Sequence, residues 1–287
     1  MSRRLALVLA GGGIAGIAWE TGFLLGVQDN EPDAGKALLG ADLLLGTSAG
    51  ATVSAQIGSA TPLTELYARQ LAENTTEISP HVEITDLLDL FRRAAGDGPA
   101  SMPERLRAIG RRALASTTVG EDVRRAVIAA RLPCHEWPER RLEITAIDVT
   151  TGERAVFDRS SGVALVDAVA ASCAVPAVWP PVTIGGRRFM DGGVASSANL
   201  DAVTGCSAVV MLAPTAEPGL SPFGPSLADE LSDPRFDRRL GVFADDPSIA
   251  AFGRNPLDPE CRAPAAAAGR EQGRRCAEAV AEFLSGA

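Results

Sequence analysis

Histidine is scarce in this chain. Only two occur among its 287 residues: His81 follows Pro80, and His135 lies in a turn bounded by Pro133 and Pro138, so a surface loop role is expected for both. Too few histidines are present for a histidine-based metal site, and none follows position 135 to act as a late base. Five cysteines without CxxC spacing indicate neither a zinc site nor a disulfide framework. We therefore expect no metal, and a reducing compartment such as the cytoplasm.

Lysine is rarer still, because Lys36 is the single one and arginine supplies nearly all of the positive charge. Arginine pairs such as Arg124-Arg125 are predicted to lie on solvated helix faces rather than to form an anion-binding patch. Acidic side chains outnumber basic ones by 36 to 27, which leaves a formal net charge of −9. That balance argues against non-specific binding of nucleic acid.

Long apolar runs are also missing, since no stretch approaches the roughly 20 residues of a membrane span. Apolar residues nevertheless make up 46% of the chain and charged residues 22%, values typical of globular proteins that bury their own core. The basic and apolar residues 1–10 resemble the start of a signal peptide, but three glycines interrupt the apolar run at once. We predict a single domain over residues 1–287.

Strand, turn and helix patterns alternate at the start of the chain. Apolar runs at residues 5–10 and 43–45 are each followed by a turn and a helical pattern, over residues 14–30 and 49–58. Continuous apolar strands that alternate with helices predict an α/β fold, with a mostly parallel sheet covered on both faces.

The remainder of the chain divides by its periodicity. Residues 62–131 predict a helical insertion or cap, and residues 142–149 and 154–157 predict a hairpin around Thr151-Gly152. Prolines and polar residues between positions 214 and 264 predict an irregular surface segment. A helix closes the chain over residues 265–284.

A GxSxG pentapeptide follows the second strand: Gly46-Thr47-Ser48-Ala49-Gly50. The pattern alone is weak, and it also fits a small-residue turn without chemistry. Here, however, an apolar strand leads into it and helix-compatible residues lead out of it. That context is typical of a nucleophile elbow, in which the serine hydroxyl stands at a helix N-terminus.

A glycine loop follows the first strand in the same way. Gly11, Gly12 and Gly13 precede a helix that contains Gly16. Backbone N–H groups of such a loop can form an oxyanion hole, so we assign Gly11, Gly12 and Gly13 to one.

The same letters match GxGxxG, the fingerprint of dinucleotide-binding proteins. That alternative requires an acidic residue at the end of the second strand, where this sequence has Gly46. The nearby acidic residues Asp29, Glu31 and Asp33 surround Pro32 in a predicted loop. A purely structural glycine turn is the other alternative.

A serine nucleophile needs a neighbouring base. Without a late histidine, the candidate is Asp191, which follows a short strand at residues 187–190 and precedes Gly192-Gly193. A carboxylate at such a turn on a sheet edge can accept a proton if it lies within hydrogen-bonding reach of Ser48. Asp-Gly-Gly by itself is also a common turn.

These motifs together resemble the patatin-like phospholipase family in order and spacing. The resemblance includes the small-residue and proline segment at residues 171–182 and Asn199. It implies a three-layer α/β/α hydrolase in which Ser48 and Asp191 form a catalytic dyad that acts through an acyl-enzyme. It also implies an acyl lipid or small ester as substrate, and neither a metal nor an organic cofactor.

The chain departs from the family pattern at two positions. Family members commonly carry arginine or lysine where this chain has Ala15, and often aspartate where it has Ala10. We therefore expect no positive charge near the site, with the backbone hole intact and recognition of an anionic headgroup in doubt.

Other readings stay open at this point. A non-catalytic lipid- or acyl-binding protein would keep the pocket, although it would need neither Ser48 nor Asp191. An acyltransferase would use the same acyl-enzyme as a hydrolase. Transient contact with a membrane surface and the oligomeric state are not decided by the sequence.

Overall fold

The computed structural model describes residues 4–80, 89, 91, 93, 101–219, 221 and 223–286. His81 and part of the predicted insertion at residues 62–131 therefore lie outside the described residues. Eight strands form one sheet: β1 (Leu5–Leu9), β2 (Leu43–Gly46), β3 (Leu142–Asp148), β4 (Arg154–Phe157), β5 (Val182–Ile184), β6 (Arg187–Asp191), β7 (Ala208–Ala213) and β8 (Arg238–Phe243).

Helices of very different lengths connect these strands. The described α-helices are α1 (Gly13–Asn30), α2 (Pro32–Leu39), α3 (Ala49–Gly58), α4 (Leu63–Leu71), α5 (Met102–Ala115), α6 (Glu121–Arg131), α7 (Leu165–Ser172), α8 (Leu227–Leu231), α9 (Asp246–Phe252) and α10 (Arg262–Ser285). Short 3-10 turns lie at Gly192–Val194, Leu200–Ala202 and Pro259–Cys261.

The sheet has the order β5-β6-β3-β2-β1-β7-β8, and β4 pairs with β3 beside that path. Strands from β3 to β8 in this order are parallel, whereas β6, β5 and β4 join antiparallel. The central sheet is thus mostly parallel and flanked by helices, as predicted. The carboxyl ends of β1 and β2 lie side by side, because Leu9 pairs with Gly46, so the turns after both strands meet at one edge.

Alternate residues of each central strand enter two cores on opposite faces of the sheet. Leu7 and Leu9 of β1 pack in the core that contains α1, α3 and α10, whereas Ala6 and Val8 pack in the core that contains Leu227 of α8. This period-2 alternation requires a helical or irregular layer on each side. The sheet and the covering on each of its two faces form the three layers.

Two predicted segments contain more detail than their patterns suggested. In the described part of residues 62–131, α5 packs on the sheet through Leu106 and Ile109, which contact the core around Ile147 and Met190. Residues 214–264 are not irregular throughout, since they include α8, α9 and the edge strand β8. Within the described residues, no helix combines the length and apolarity that crossing a bilayer requires.

Candidate active site

Ser48 occupies the turn between β2 and α3. Its φ of 54° places a non-glycine residue in the left-handed half of backbone space, which is sparsely populated and often marks a functional site. The side chain is 7% exposed. The strand-turn-helix context predicted from the sequence is confirmed.

The flanking glycines are required by close backbone contacts. A Cβ on Gly46 would lie 2.5 Å from the carbonyl oxygen of Gly50, and a Cβ on Gly50 would lie 1.9 Å from the carbonyl oxygen of Leu9. Both distances are far below van der Waals contact. A side chain at Gly46 would push α3 away from β2, and one at Gly50 would push α3 away from β1.

The backbone of Ser48 is held by the end of α7. Its N–H donates to Oγ of Ser172 at 2.8 Å, and Sγ of Cys173 donates to its carbonyl oxygen at 3.2 Å. Both partners are buried. Residues 171–182 belong to the segment that resembles the family, and these two hydrogen bonds show that the start of this segment holds the backbone of Ser48.

Asp191 ends strand β6, and its carboxylate is brought to Ser48 across the sheet edge. The N–H of Gly193 donates to Oδ1 at 2.7 Å, and the Ser48 hydroxyl lies close enough to this carboxylate to lower its pKa. Asp191 is 4% exposed. Burial raises the pKa of Asp191 to about 7, although the Ser48 hydroxyl and the N–H of Gly193 act in the opposite direction.

The turn after Asp191 depends on Gly192. A Cβ there would lie 2.6 Å from Oγ1 of Thr145 on β3. The glycine lets the turn close against β3, and Gly193 follows with the N–H that reaches the carboxylate. The Asp-Gly-Gly sequence is thus a turn and also a support for the carboxylate.

Asn199 organises the polar network behind the two side chains. It is fully buried with a φ of 51°, and its Nδ2 donates to Oγ1 of Thr47 at 3.1 Å and to the carbonyl oxygen of Ser196 at 2.5 Å. Thr47 in turn shares a hydrogen bond of 2.8 Å with Thr145. No sequence pattern assigns a role to Thr47 or Thr145, because a network of this kind exists only after β2 and β3 are paired.

The glycine loop lies directly against the elbow. A Cβ on Gly11 would lie 3.5 Å from Cβ of Ser48. The N–H of Gly11, however, donates to the carbonyl oxygen of Ser197 at 2.8 Å, whereas the N–H groups of Gly12 and Gly13 have no protein acceptor within the part of the chain that the structure describes.

Other chain segments cover this loop. A Cβ on Gly12 would lie 2.2 Å from Cγ of Pro214, and Gly13, with a φ of 66°, approaches the carbonyl oxygen of Pro256. That oxygen accepts the N–H of Ala15 at 2.9 Å. Gly16 allows α1 to approach the start of α3, because a Cβ there would lie 3.0 Å from Cβ of Ala49.

A small cavity of about 20 Å³ opens beside Ser48. Its lining includes Cys173 and Trp179 and, unexpectedly, Arg124 and Arg131. The expectation that no positive charge lies near the site is therefore wrong. The expectation of solvated arginine pairs also fails at one residue, since Arg125 is half-exposed but Arg124 is only 4% exposed.

His135 makes its contact outside the lining around Ser48. Its exposed ring contacts the carbonyl oxygen of Ala129 at 2.9 Å, and it is not part of the lining around Ser48. Within the described chain, no three His, Cys, Asp or Glu side chains converge as metal ligands would.

Comparison with known proteins gives one family and several structures. The structure of VipD from Legionella pneumophila is similar with a TM-score of 0.47 and 12% identity, over 97% of this chain and 67% of VipD. The structure of the type III effector protein ExoU gives a TM-score of 0.44 and 16% identity, over 97% of this chain and 53% of ExoU. This chain thus spans about two thirds of the length of the first and about half of the second.

The family comparison covers the elements that build the site. The model of the patatin-like phospholipase family matches residues 7–204, a stretch that contains the glycine loop, Ser48 and Asp191 and exceeds half of the chain. This chain belongs to the patatin-like phospholipase family.

Proposed function

We propose that this chain is a serine hydrolase that cleaves carboxylic esters of acyl lipids, with Ser48 as nucleophile and Asp191 as general base. The observation that carries the proposal is the placement of the Ser48 hydroxyl beside a buried carboxylate whose pKa is raised to about 7. A base with a pKa near the operating pH is efficient, because it is ionised in a large fraction of molecules and still accepts a proton readily. Family membership supports a lipid acyl hydrolase.

In the first half of the reaction, the ionised Asp191 accepts the Ser48 proton as Oγ attacks the ester carbonyl carbon. The tetrahedral intermediate collapses when its bond to the alcohol oxygen breaks, and the leaving alcohol takes the proton from Asp191. The product of this half-reaction is an acyl-enzyme on Ser48. In the second half, water attacks the acyl carbon, Asp191 accepts the water proton and then returns it to Ser48.

The negative charge that develops on the carbonyl oxygen needs donors that are not already engaged. We assign Gly12 and Gly13 to this hole, and we withdraw Gly11 from it because its N–H is bonded to Ser197. The N-terminus of α3, which begins at Ala49, adds a favourable dipole. One donor of this kind contributes roughly 100- to 1,000-fold in rate.

The alternative of dinucleotide binding is not favoured by the loop environment. A pyrophosphate at the N-terminus of α1 would need open backbone there, yet Pro214 packs on Gly12 and the Pro256 carbonyl takes the N–H of Ala15. A binding protein without activity would not need the strained φ of Ser48 or the buried carboxylate beside it.

The test combines covalent labelling with turnover of acyl esters. A fluorophosphonate probe is expected to label wild type at Ser48, and Ser48→Ala and Asp191→Asn are each expected to lose at least about 1,000-fold in kcat/KM. Because Asp191 must be ionised, kcat/KM of wild type should rise about tenfold per pH unit below about pH 7 and level off above it.

Ser54→Ala is the matched control. Ser54 lies on α3, and its buried hydroxyl has no hydrogen-bond partner within the described residues, so the substitution should leave turnover near the wild-type value. Normal turnover by Asp191→Asn would refute the dyad. Absence of both labelling and turnover in wild type would favour the non-catalytic lipid-binding alternative.

A further inference from the structure

Arg124 is buried beside the proposed nucleophile, and within the described residues its charge is only weakly paired. It lines the same cavity as Ser48 and is 4% exposed. Its Nε and Nη1 atoms are buried and have no hydrogen-bond acceptor within the described residues. An isolated buried guanidinium is costly, and buried charges in proteins are normally paired.

The nearest carboxylate is already occupied by another arginine. Glu77 accepts two hydrogen bonds from Arg131, at 2.6 and 2.7 Å, whereas Nη1 of Arg124 lies 3.9 Å from Glu77. The Arg131 and Glu77 charges therefore compensate each other, and among the residues that the structure describes Arg124 remains as excess positive charge. Consistent with this, burial and the neighbouring Arg131 lower the pKa of Arg124 to about 9.

In the described part of the chain, packing rather than hydrogen bonding holds the Arg124 side chain in place. Its guanidinium lies over the ring of Trp179, 3.8 Å from the ring centre, and Trp179 also lines the cavity. A stacked guanidinium keeps its in-plane N–H groups available for an anion. This arrangement is pre-organised for a ligand that brings the missing negative charge.

We propose that Arg124 binds an anionic substituent of the ester substrate, a phosphate or a carboxylate close to the scissile bond. This inference rests on the proposed ester hydrolysis at Ser48 and names the class of substrate that the site takes. Positive charge beside the nucleophile is thus supplied from helix α6, whereas position 15 on α1 carries only the fully buried methyl group of Ala15.

A second cavity gives such a substrate room. The space beside Ser48 holds little more than one water molecule, but it shares Ile14, Ile17 and Arg131 with an adjoining cavity of about 310 Å³. Arg69 and Arg262 also line the larger cavity. A substrate anchored by its anion at Arg124 would extend into this space.

The experiment compares matched neutral and anionic esters. One pair is the valerate and the glutarate monoester of 4-methylumbelliferone, in which the anion is a carboxylate on the acyl part. The other pair is dihexanoylglycerol and dihexanoyl phosphatidic acid, in which it is a phosphate on the alcohol part. The measured quantity is the ratio of kcat/KM for the anionic and the neutral member, in wild type, Arg124→Gln and Arg125→Gln.

Arg125→Gln is the matched control because it removes the same charge from the next residue of α6. Arg125 is half-exposed and pairs with Asp167 on the surface. We expect wild type and Arg125→Gln to prefer the anionic member of at least one pair. Arg124→Gln should lower that ratio by about 10- to 100-fold, the effect of losing a charge-assisted hydrogen bond. The pair that responds identifies the anion.

An unchanged ratio in Arg124→Gln, or an equal loss in Arg125→Gln, would overturn the inference and leave ester hydrolysis standing. If wild type hydrolyses none of the esters, the proposed function fails, and inorganic phosphate then tests the anion site alone. Phosphate should raise the Tm of wild type and Arg125→Gln but not of Arg124→Gln, and no difference between the variants would overturn the site. Should Arg124→Gln not fold, Arg124→Met, which can still cover Trp179, replaces it in the same comparisons.

Discussion

Asp191 is the proposed base, and its burial also affects the stability of the fold. Burial raises its pKa to about 7 from an ordinary 3.8, so the folded protein holds a proton there more tightly than the unfolded chain does. Between pH 4 and pH 7 the folded state therefore binds more protons, and this carboxyl group lowers stability as the pH rises through that window. Above about pH 7 the loss is complete and constant.

Asp191→Asn is accordingly expected to be more stable than wild type while it loses activity. The shift corresponds to a gain of about 4 kcal/mol at pH 8 and about 2 kcal/mol at pH 5. The asparagine can keep both neighbours, because its Oδ1 can accept from Gly193 and its Nδ2 can donate to Ser48. Urea unfolding of both proteins at the two pH values measures the difference.

Asp148→Asn is a control of opposite sign. Burial favours the neutral form of the Asp148 carboxyl group. The N–H groups of Thr151 and Thr150 and the guanidinium of Arg187 favour its charged form more strongly, so the pKa of Asp148 lies below its ordinary value. Its stabilisation is present above the unfolded pKa and is lost as the pH falls, so Asp148→Asn should destabilise the protein at pH 8. A gain in stability that is equal at pH 5 and pH 8 for Asp191→Asn would contradict the titration argument.

At this scale, the sequence predicts the proposed site residues that lie in local motifs. Ser48 is marked by the glycines on both sides and Asp191 by the turn after it. Arg124 could not be distinguished from Arg125, because the two are adjacent and chemically the same. Only the packing of α6 against the site buries one and exposes the other.

The packing of α1 against α10 is the dominant contact between elements. Every residue of α1 from Ile14 to Val27 is buried, and glycines on both helices allow the backbones to touch. A Cβ on Gly269 would lie 2.3 Å from the carbonyl oxygen of Trp19, and one on Gly22 would lie 2.2 Å from that of Ala266. The helices are therefore closer than any pair with side chains at these positions could be.

Gly269→Ala should for this reason destabilise the protein, although glycine to alanine within a helix ordinarily gains up to about 1 kcal/mol. The methyl group has no space, and forced separation of packed helices costs at least about 2 kcal/mol net. Thermal and urea unfolding measure the change. Ala267→Val adds volume at an exposed position of the same helix and should stay within about 1 kcal/mol of wild type. A stable Gly269→Ala would show that the helix pair can separate without penalty.

Elements with a strong local pattern were predicted closely, and elements that depend on their neighbours were not. The apolar run at residues 5–10 became β1, and the pattern at residues 49–58 became α3. Strand β8 was missed because it carries Arg238 and Arg239 and is only half-buried. It becomes a strand by pairing with β7 at the sheet edge. The pattern of its own six residues does not predict that pairing.

On the scale of the whole molecule, the charge outside and the charge at the site have opposite signs. The formal net charge is −9, whereas the cavity beside Ser48 is lined by two arginines. The net charge follows from composition alone, and it is sufficient to predict long-range repulsion from anionic surfaces. The arginines at the cavity depend on which side chains the fold turns inward, so the sequence did not predict the local charge.

This contrast predicts a distinctive effect of salt on hydrolysis at a lipid surface. Repulsion between an acidic protein and anionic vesicles acts over roughly 20 Å at low ionic strength and over about 8 Å at 0.15 M. Initial rates on vesicles of phosphatidylglycerol should therefore rise several-fold between about 20 and 200 mM NaCl. Rates on vesicles of phosphatidylcholine, which carry no net charge, should change little and serve as the control. The proposed anion contact at Arg124 lies in a buried cavity, where salt screens charges poorly. In solution, the glutarate monoester should therefore keep its advantage in kcat/KM over the valerate across the same range of salt concentration. A rate on anionic vesicles that falls as salt is added would mean that a positive surface faces the membrane, which would outweigh the net charge of the molecule.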